Sequence, residues 1–340
     1  MRLTELQKNN GKEQIMADKG IVNTSTTKSR KQGSNSKKKG TLLLRIWKAR
    51  WLYLLALPFL VWLIVFCYGP MYGVLMAFED YKASLGVLGS EWVGLKHFRR
   101  IFIIPAAKRA ITNTLVISIS RLIFEFPAPI ILAVLITEMR GTKLKKVYQT
   151  IFTFPHFLSW IVVSAILGNF LSSNGAINVM LANLGIEKMN FLGNVPLFRP
   201  MLYATSIWKG VGWSAIIYMA ALAGIDPTLY EAADIDGATR LQRIRYVMLP
   251  GIKSTIIIMF ILAVGGVMDA GFDQIFNMRN AIVTETAQIL DTYIYDITFA
   301  STPNYGFSTA VGLFKAVINF MLLVLANTVV GKISGERLIQ

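Results

Sequence analysis

Residues 51–78 read WLYLLALPFLVWLIVFCYGPMYGVLMAF and contain no charged side chain. A single helix crosses the hydrocarbon core of a bilayer with roughly 20 apolar residues. Five further apolar stretches of comparable length follow, at about 110–139, 148–172, 200–224, 252–272 and 306–331. The pattern predicts an all-α integral membrane protein with six transmembrane helices. Composition agrees, with 54% hydrophobic and 16% charged residues, too apolar for an ordinary soluble domain. Buried core helices of a large soluble protein are the alternative. Those are shorter and alternate with polar faces.

Residues 1–50 are a different material. They hold 13 Lys or Arg against three acids, and STTKSRKQGSNSKKKG is rich in Ser, Gly and Lys. Such a tract buries too little apolar surface to fold and reads as disordered. A basic tail just before a membrane span fits a cytoplasmic anchor near anionic lipid better than a nucleic-acid arm. It is not a cleaved signal peptide, because the apolar run after it is too long and lacks a small-residue cleavage site. The division is therefore a basic cytoplasmic tail over 1–50 and a six-span domain over 51–335.

Orientation follows from where Lys and Arg sit. With the N-terminus inside, six spans put the 140–146 loop, the 226–253 loop and the C-terminus in the cytoplasm. Inside loops and C-terminus carry 10 basic residues and outside loops 9, so the loops do not decide. Residues 31–50 add 7 on the inside and do. The basic segment LKHFRRIFIIPAAKRA at 95–110 falls outside. Leu95, Phe98, Ile101 and Phe102 recur in it at helical spacing, which predicts an amphipathic helix on the outer interface.

The single cysteine, Cys67, supports neither a disulfide framework nor a metal site. His97 and His156 are far apart, and nothing has the spacing of a zinc site or of a nucleophile with its base. No G-x-x-x-x-G-K-[ST] phosphate loop occurs. The chain is expected to be no enzyme, to hold no metal and to carry no cofactor of its own.

One polar stretch interrupts the apolar ones: EAADIDGATRLQRIRYVMLP, residues 231–250. Ahead of it, Asp226 and Pro227 read as N-cap and first residue of a short helix, with Ile225 and Tyr230 as a hydrophobic staple. Asp236-Gly237 breaks that helix. A second follows, with Leu241, Ile244 and Met248 on one face and Arg240 and Arg243 on another, ended by Pro250 and Gly251. By physics alone this is either a docking helix pair on the membrane surface or a well-capped polar loop.

The spacing of Glu231-Ala232-Ala233, Gly237, Val247 and Leu249-Pro250 resembles the EAA signature of binding-protein-dependent ABC importer permeases, with Val247 where that family usually has Ile. The similarity extends over about 50–335. FPAPIILAVLITE, FTFPHFLSWIVVSAIL, MNFLGN, SIWKGVGWSAIIYMAALAGIDP and TAVGLFKAVINFMLLVLAN resemble the carbohydrate subgroup that imports polysaccharide-derived oligosaccharides. The resemblance implies the type I importer (MetI-like) permease fold in a bacterial cytoplasmic membrane. It implies transport by alternating access, with ATP bound by a separate cytoplasmic ATPase dimer. It implies as further partners a second permease subunit and an extracytoplasmic sugar-binding lipoprotein, with membrane lipid around the chain and no nucleic acid. Loop 226–250 becomes the coupling loop: Glu231 is expected to face an ATPase arginine, Ala232 and Ala233 to allow close approach, Gly237 to make the turn, and Leu249 and Pro250 to complete the signature.

Charges within apolar spans are expensive and often functional. Arg121 and Glu125 are four apart and can pair. Lys209 and Lys315 lie within the fourth and sixth spans, positioned either to line a path or to pair with another helix. Asp269 and Asp273 sit near the outer end of the fifth span. They suit sugar hydroxyls, a binding-protein contact or a solvated helix end. Trp160, Trp208, Trp213 and Tyr218 are candidate aromatic faces for sugar, although such rings are also common at membrane interfaces. A permease for peptides or phosphate shares the coupling loop. A secondary carrier would show repeated broken helices, and no internal repeat is found.

Overall fold

The computed structural model describes residues 47–334. The predicted tail therefore lies outside the described residues up to position 46, as does the C-terminal end from 335. The chain divides at Tyr68/Gly69 into two compact units. In the first, helix α1 (Arg50–Leu63) runs into a π-turn at Ile64–Tyr68, and none of its residues is buried within the chain. That is what a helix needs if it faces lipid or another subunit.

The second unit begins with a 3-10 run, Gly69–Phe78, and a two-residue hairpin, β1 (Glu79–Asp80) with β2 (Glu91–Trp92). Helix α2 (Lys96–Ile101) follows, then α3 (Pro105–Phe124), α4 (Pro127–Glu138), α5 (Thr142–Thr153), α6 (Trp160–Leu171) and α7 (Ala176–Asn183). The rest is α8 (Val195–Ala223), α9 (Pro227–Ile235), α10 (Arg240–Arg243), α11 (Lys253–Gly265), α12 (Phe272–Met278), α13 (Leu290–Thr298) and α14 (Tyr305–Ser334). Among the described residues, four helical runs are long and apolar enough to cross a membrane: Arg50–Phe78, Pro105–Glu138, Trp160–Asn183 and Tyr305–Lys332. Two more arise if each bent pair is one span, α8 with α9 at 75° and Arg240–Gly251 with α11 at 64°. Six spans fit this architecture.

Three boundaries differ from expectation. The 148–172 stretch is not one helix. It breaks at Pro155, and Ser159 starts α6 by accepting a hydrogen bond from the Val162 N–H. The amphipathic segment is helical only over Lys96–Ile101. There His97 and Ile101 are buried, whereas Leu95 and Phe102 are exposed, and Pro105 already opens α3. The fifth span is broken at its C-terminal end. After a 3-10 turn at Val267–Asp269, Ala270 and Gly271 take φ of 44° and 80°, and α12 starts in a new direction.

The core lies in three patches. Around Leu132, Ala133, Tyr218, Leu222 and Met248, α4 and α8 meet the segment after α10. Around Ile117, Phe198, Leu202 and Ile275, α3, α8 and α12 meet. Around Ile101, Met268, Leu290 and Phe307, α2, the Val267–Asp269 turn and α13 close on α14. The first patch carries the 226–250 loop and the second borders the cavities described next.

Candidate functional site: a docking loop and a polar path

Asp226 caps α9 by accepting the Thr228 N–H at 3.0 Å. That bond and one from the Thr228 side chain hold its carboxyl below the ordinary aspartate range. Ile225 and Tyr230 both pack against the α4/α8 patch. The helix ends in a Schellman motif. Ala238 N–H donates to Ala233 O at 2.9 Å, Gly237 N–H donates to Asp234 O at 3.2 Å, and Gly237 has φ 70°. The chain then restarts at once, with Thr239 and Gln242 forming a reciprocal capping box. The turn is fixed from both sides.

The face that α9 offers is open. Glu231 and Ala232 are exposed, and Ile235 is 87% and Leu241 74% exposed. The expectation that Leu241 shares a face with Ile244 and Met248 is overturned. A π-turn at Ile244–Met248 widens the helix and shifts the register, so Met248 is buried while Leu241 points out. Leu249 and Pro250 stay helical, and the chain bends at Ile252 into the fifth span.

Sequence reasoning missed the tie beneath this loop. Arg243 donates from Nη2 to Glu138 Oε2 at 2.6 Å and from Nε to Oε1 at 3.2 Å, and from Nη1 to Asp234 at 2.9 Å. Glu138 is the last residue of α4. Their bonds raise the Arg243 pKa, with Glu138 the largest contributor. One guanidinium therefore joins α9 to the C-terminal end of α4.

Two cavities lie further along the helices. One of about 360 Å³ is lined by α3, α8 and α11, with Arg121, Glu125, Tyr218 and Asp269 on its wall. The other, about 420 Å³, has Arg121, Trp160, Asp269, Asp273, Gln274 and Asp291. They share Arg121, Asp269 and Gly271. Four of the six residues selected as a substrate path thus line these cavities: Trp160, Tyr218, Asp269 and Asp273. Trp208 and Trp213 do not. Both are about half exposed, and Trp213 stacks on His156 with centroids 4.6 Å apart.

The intramembrane charges have partners. Arg121 Nε lies 3.6 Å from Glu125 Oε1. Lys209 Nζ donates to His156 O at 2.8 Å and lies 5.5 Å over the Trp160 ring. Lys315 reaches Asp269 and Asp291, each at 2.8 Å. Asp291 and Gln274, neither singled out in the sequence, complete this polar set. Among the described residues no cluster of three His, Cys, Asp or Glu side chains has a metal-binding arrangement.

Residues 128–335 match the family described as "Binding-protein-dependent transport system inner membrane component". The chain is similar to the polygalacturonan/rhamnogalacturonan transport system permease protein YteP of Bacillus subtilis (strain 168): 42% identical over 300 residues, covering 88% of this chain and 93% of that one. It is 43% identical over 290 residues to protein LplB of the same organism, covering 85% and 91%. Among solved structures, it resembles a chain of a bacterial ABC transporter involved in the import of the acidic polysaccharide alginate, with TM-score 0.80 and 36% identity over 86% of this chain and 99% of that one. A chain of a bacterial alginate ABC transporter in complex with an alginate pentasaccharide-bound periplasmic protein gives TM-score 0.81 and 36% identity, covering 87% and 99%.

Proposed function

The chain belongs to the family of binding-protein-dependent transport system inner membrane components, and from that premise we propose that it forms one half of the translocation path of an ATP-driven oligosaccharide importer. Its cargo is a fragment of a complex polysaccharide, delivered by an extracytoplasmic binding protein. A second permease supplies the other half of the path. Two cytoplasmic ATPase subunits bind the nucleotide, since this sequence has no phosphate loop.

The observation that carries the reading is the docking loop. Helix α9 crosses at 75° to the span before it and presents Glu231, Ala232 and Ile235 outward. Its other side is tied to α4 through Arg243 and Glu138, and to the α4/α8 patch through Ile225 and Tyr230. A partner gripping the outer face therefore moves the spans. Glu231 meets a cationic group in the ATPase groove, Ala233 lets the partner approach, and Gly237 holds the turn. This loop faces the cytoplasm and the 285–304 loop the outside. Trp160, Tyr218, Asp269 and Asp273 lie along the sugar's route.

Purification of the whole complex and reconstitution in proteoliposomes tests the reading. Labelled oligogalacturonide is expected to enter only with binding protein outside and ATP at the ATPase subunits. Uptake driven by an ion gradient without ATP would establish a secondary carrier. ATP-dependent uptake of a non-sugar cargo alone would establish a permease of another class.

A further inference from the structure

We propose that Arg121 receives the carboxylate of an acidic, uronate-bearing oligosaccharide and that Gln274 positions its guanidinium for that contact. The inference rests on the oligosaccharide reading above and adds the residues that read the charge of its cargo.

Arg121 is the only cation among the described residues that line the two cavities, and it lines both. Its side chain is 15% exposed. An arginine at this depth in a span needs compensation, yet its protein partners use little of it. Nη2 donates to Gln274 Oε1. Glu125 Oε1 stands 3.6 Å from Nε, too far for a hydrogen bond. Glu125 Oε2 instead accepts the Ser206 hydroxyl at 2.9 Å. The buried Nε has no hydrogen-bond partner.

The same chain closes its arginine forks elsewhere. Arg279 grips Asp296 with bonds of 2.7 and 2.8 Å, and Arg243 grips Glu138 with 2.6 and 3.2 Å. Those are structural ties. At Arg121 the carboxylate stands 3.6 Å off and compensates the charge, and with Nε buried it is the Nη1 and Nη2 end that remains for a ligand.

Gln274 is 1% exposed, and its Nε2 donates to Leu202 O and Thr205 Oγ1, both at 2.8 Å. With its nitrogen committed to α8, its oxygen is left for Arg121, and the amide cannot flip. Backbone also makes room. Gly271, at φ 80°, packs so closely that an added Cβ would lie 2.7 Å from Arg121 Nη2. The preceding Ala270 holds φ 44°, a strained value for a residue with a side chain. Two nearby carboxylates, Asp269 and Asp291, are engaged by Lys315. The Nη1 and Nη2 end of a planar, oriented guanidinium matches a carboxylate two-to-two, whereas a hydroxyl engages one donor at a time.

The test uses the complete transporter in proteoliposomes. A galacturonic-acid trisaccharide and its carboxyl-reduced neutral form are each delivered by saturating loaded binding protein. Arg121→Gln is expected to lower the ratio of acidic to neutral uptake by roughly tenfold, about 1.4 kcal/mol. Arg121→Lys keeps the charge without the fork and should fall between. Gln274→Leu keeps the arginine and should lower the ratio by less than Arg121→Gln. An unchanged ratio in Arg121→Gln, whether or not both rates fall, overturns the assignment while leaving the oligosaccharide reading intact. Should Arg121→Gln fail to assemble, an unchanged ratio in Arg121→Lys and Gln274→Leu overturns it equally. A wild-type complex that imports neither sugar removes both.

Discussion

Arg243 and Glu138, 105 residues apart, are joined by two hydrogen bonds of 2.6 and 3.2 Å, with side chains only 22% and 11% exposed. One residue follows α9 and the other ends α4. In the coupling role proposed for α9, a push on it passes to a span through a charged pair as well as through apolar packing.

Breaking that pair should uncouple the machine before it unfolds it. Removing one partner of a largely buried ion pair costs roughly 3–5 kcal/mol. Arg243→Met is expected to leave the outward face of α9 intact, so the ATPase still co-purifies, while ATP-driven uptake falls severalfold. Arg243→Met combined with Glu138→Met should be less damaging than the sum of the single changes, because contacting residues couple. Uptake and thermal stability of the four complexes form the cycle. Strict additivity would show that the contact carries no coupling.

Lys315 holds two carboxylates, Asp269 at the break in the fifth span and Asp291 in α13. Lys315→Met leaves those like charges facing each other without compensation. We expect a loss of roughly 2–3 kcal/mol. That is below the cost of a fully buried pair, because the Asp269 side chain is 65% exposed. Adding Asp291→Asn should recover part of it. Thermal melting of the detergent-solubilised complex reads both changes, and a Lys315→Met melting point equal to wild type would mean the three groups contribute nothing to the fold.

The sequence made some of this legible because the signals were local. Asp226-Pro227 and Gly237 act on atoms within five residues of themselves, so cap and turn follow from residue type alone. The Arg121–Glu125 pair is one helical turn apart. Contacts from Arg243 to Glu138 and from Gln274 to Arg121 span 105 and 153 positions. Periodicity has no access to such distances. A charge in a span announces a cost, not a partner. Hydropathy also outweighed a visible signal at FPHFLS, where Pro155 and Ser159 mark the break in the 148–172 stretch. Trp208 and Trp213 were chosen for ring chemistry, and which face of a 29-residue helix lines a cavity is settled only by packing. Leu241 was misplaced because the π-turn after it is invisible to a fixed helical period.

The proposed orientation makes a labelling prediction. Cys67 is the sole cysteine, so Cys67→Ser gives a clean background. Ser301→Cys should react with an impermeant maleimide added to intact cells, and Asp236→Cys only after the membrane is opened. Both positions are exposed in this chain. The reverse pattern would invert the topology and place the docking loop on the wrong side for an ATPase.

Co-purification of the ATPase with Glu231→Lys and Gly237→Val complexes, read beside transport-stimulated ATP hydrolysis, tests the central claim most directly. Glu231 is exposed, so reversing its charge disturbs the partner's groove rather than this fold. At Gly237 an added Cβ meets nothing within 4 Å, so valine there acts only through the backbone. The left-handed conformation costs a side-chain-bearing residue roughly 1–2 kcal/mol, and asparagine tolerates it best. The account predicts that Glu231→Lys and Gly237→Val insert normally and lose ATPase association, coupled hydrolysis or both. Gly237→Asn should retain most of each, and a charge-reversed arginine on the ATPase should partly restore Glu231→Lys. Full association and full coupled hydrolysis in both Glu231→Lys and Gly237→Val would contradict it and leave residues 226–250 an ordinary connector.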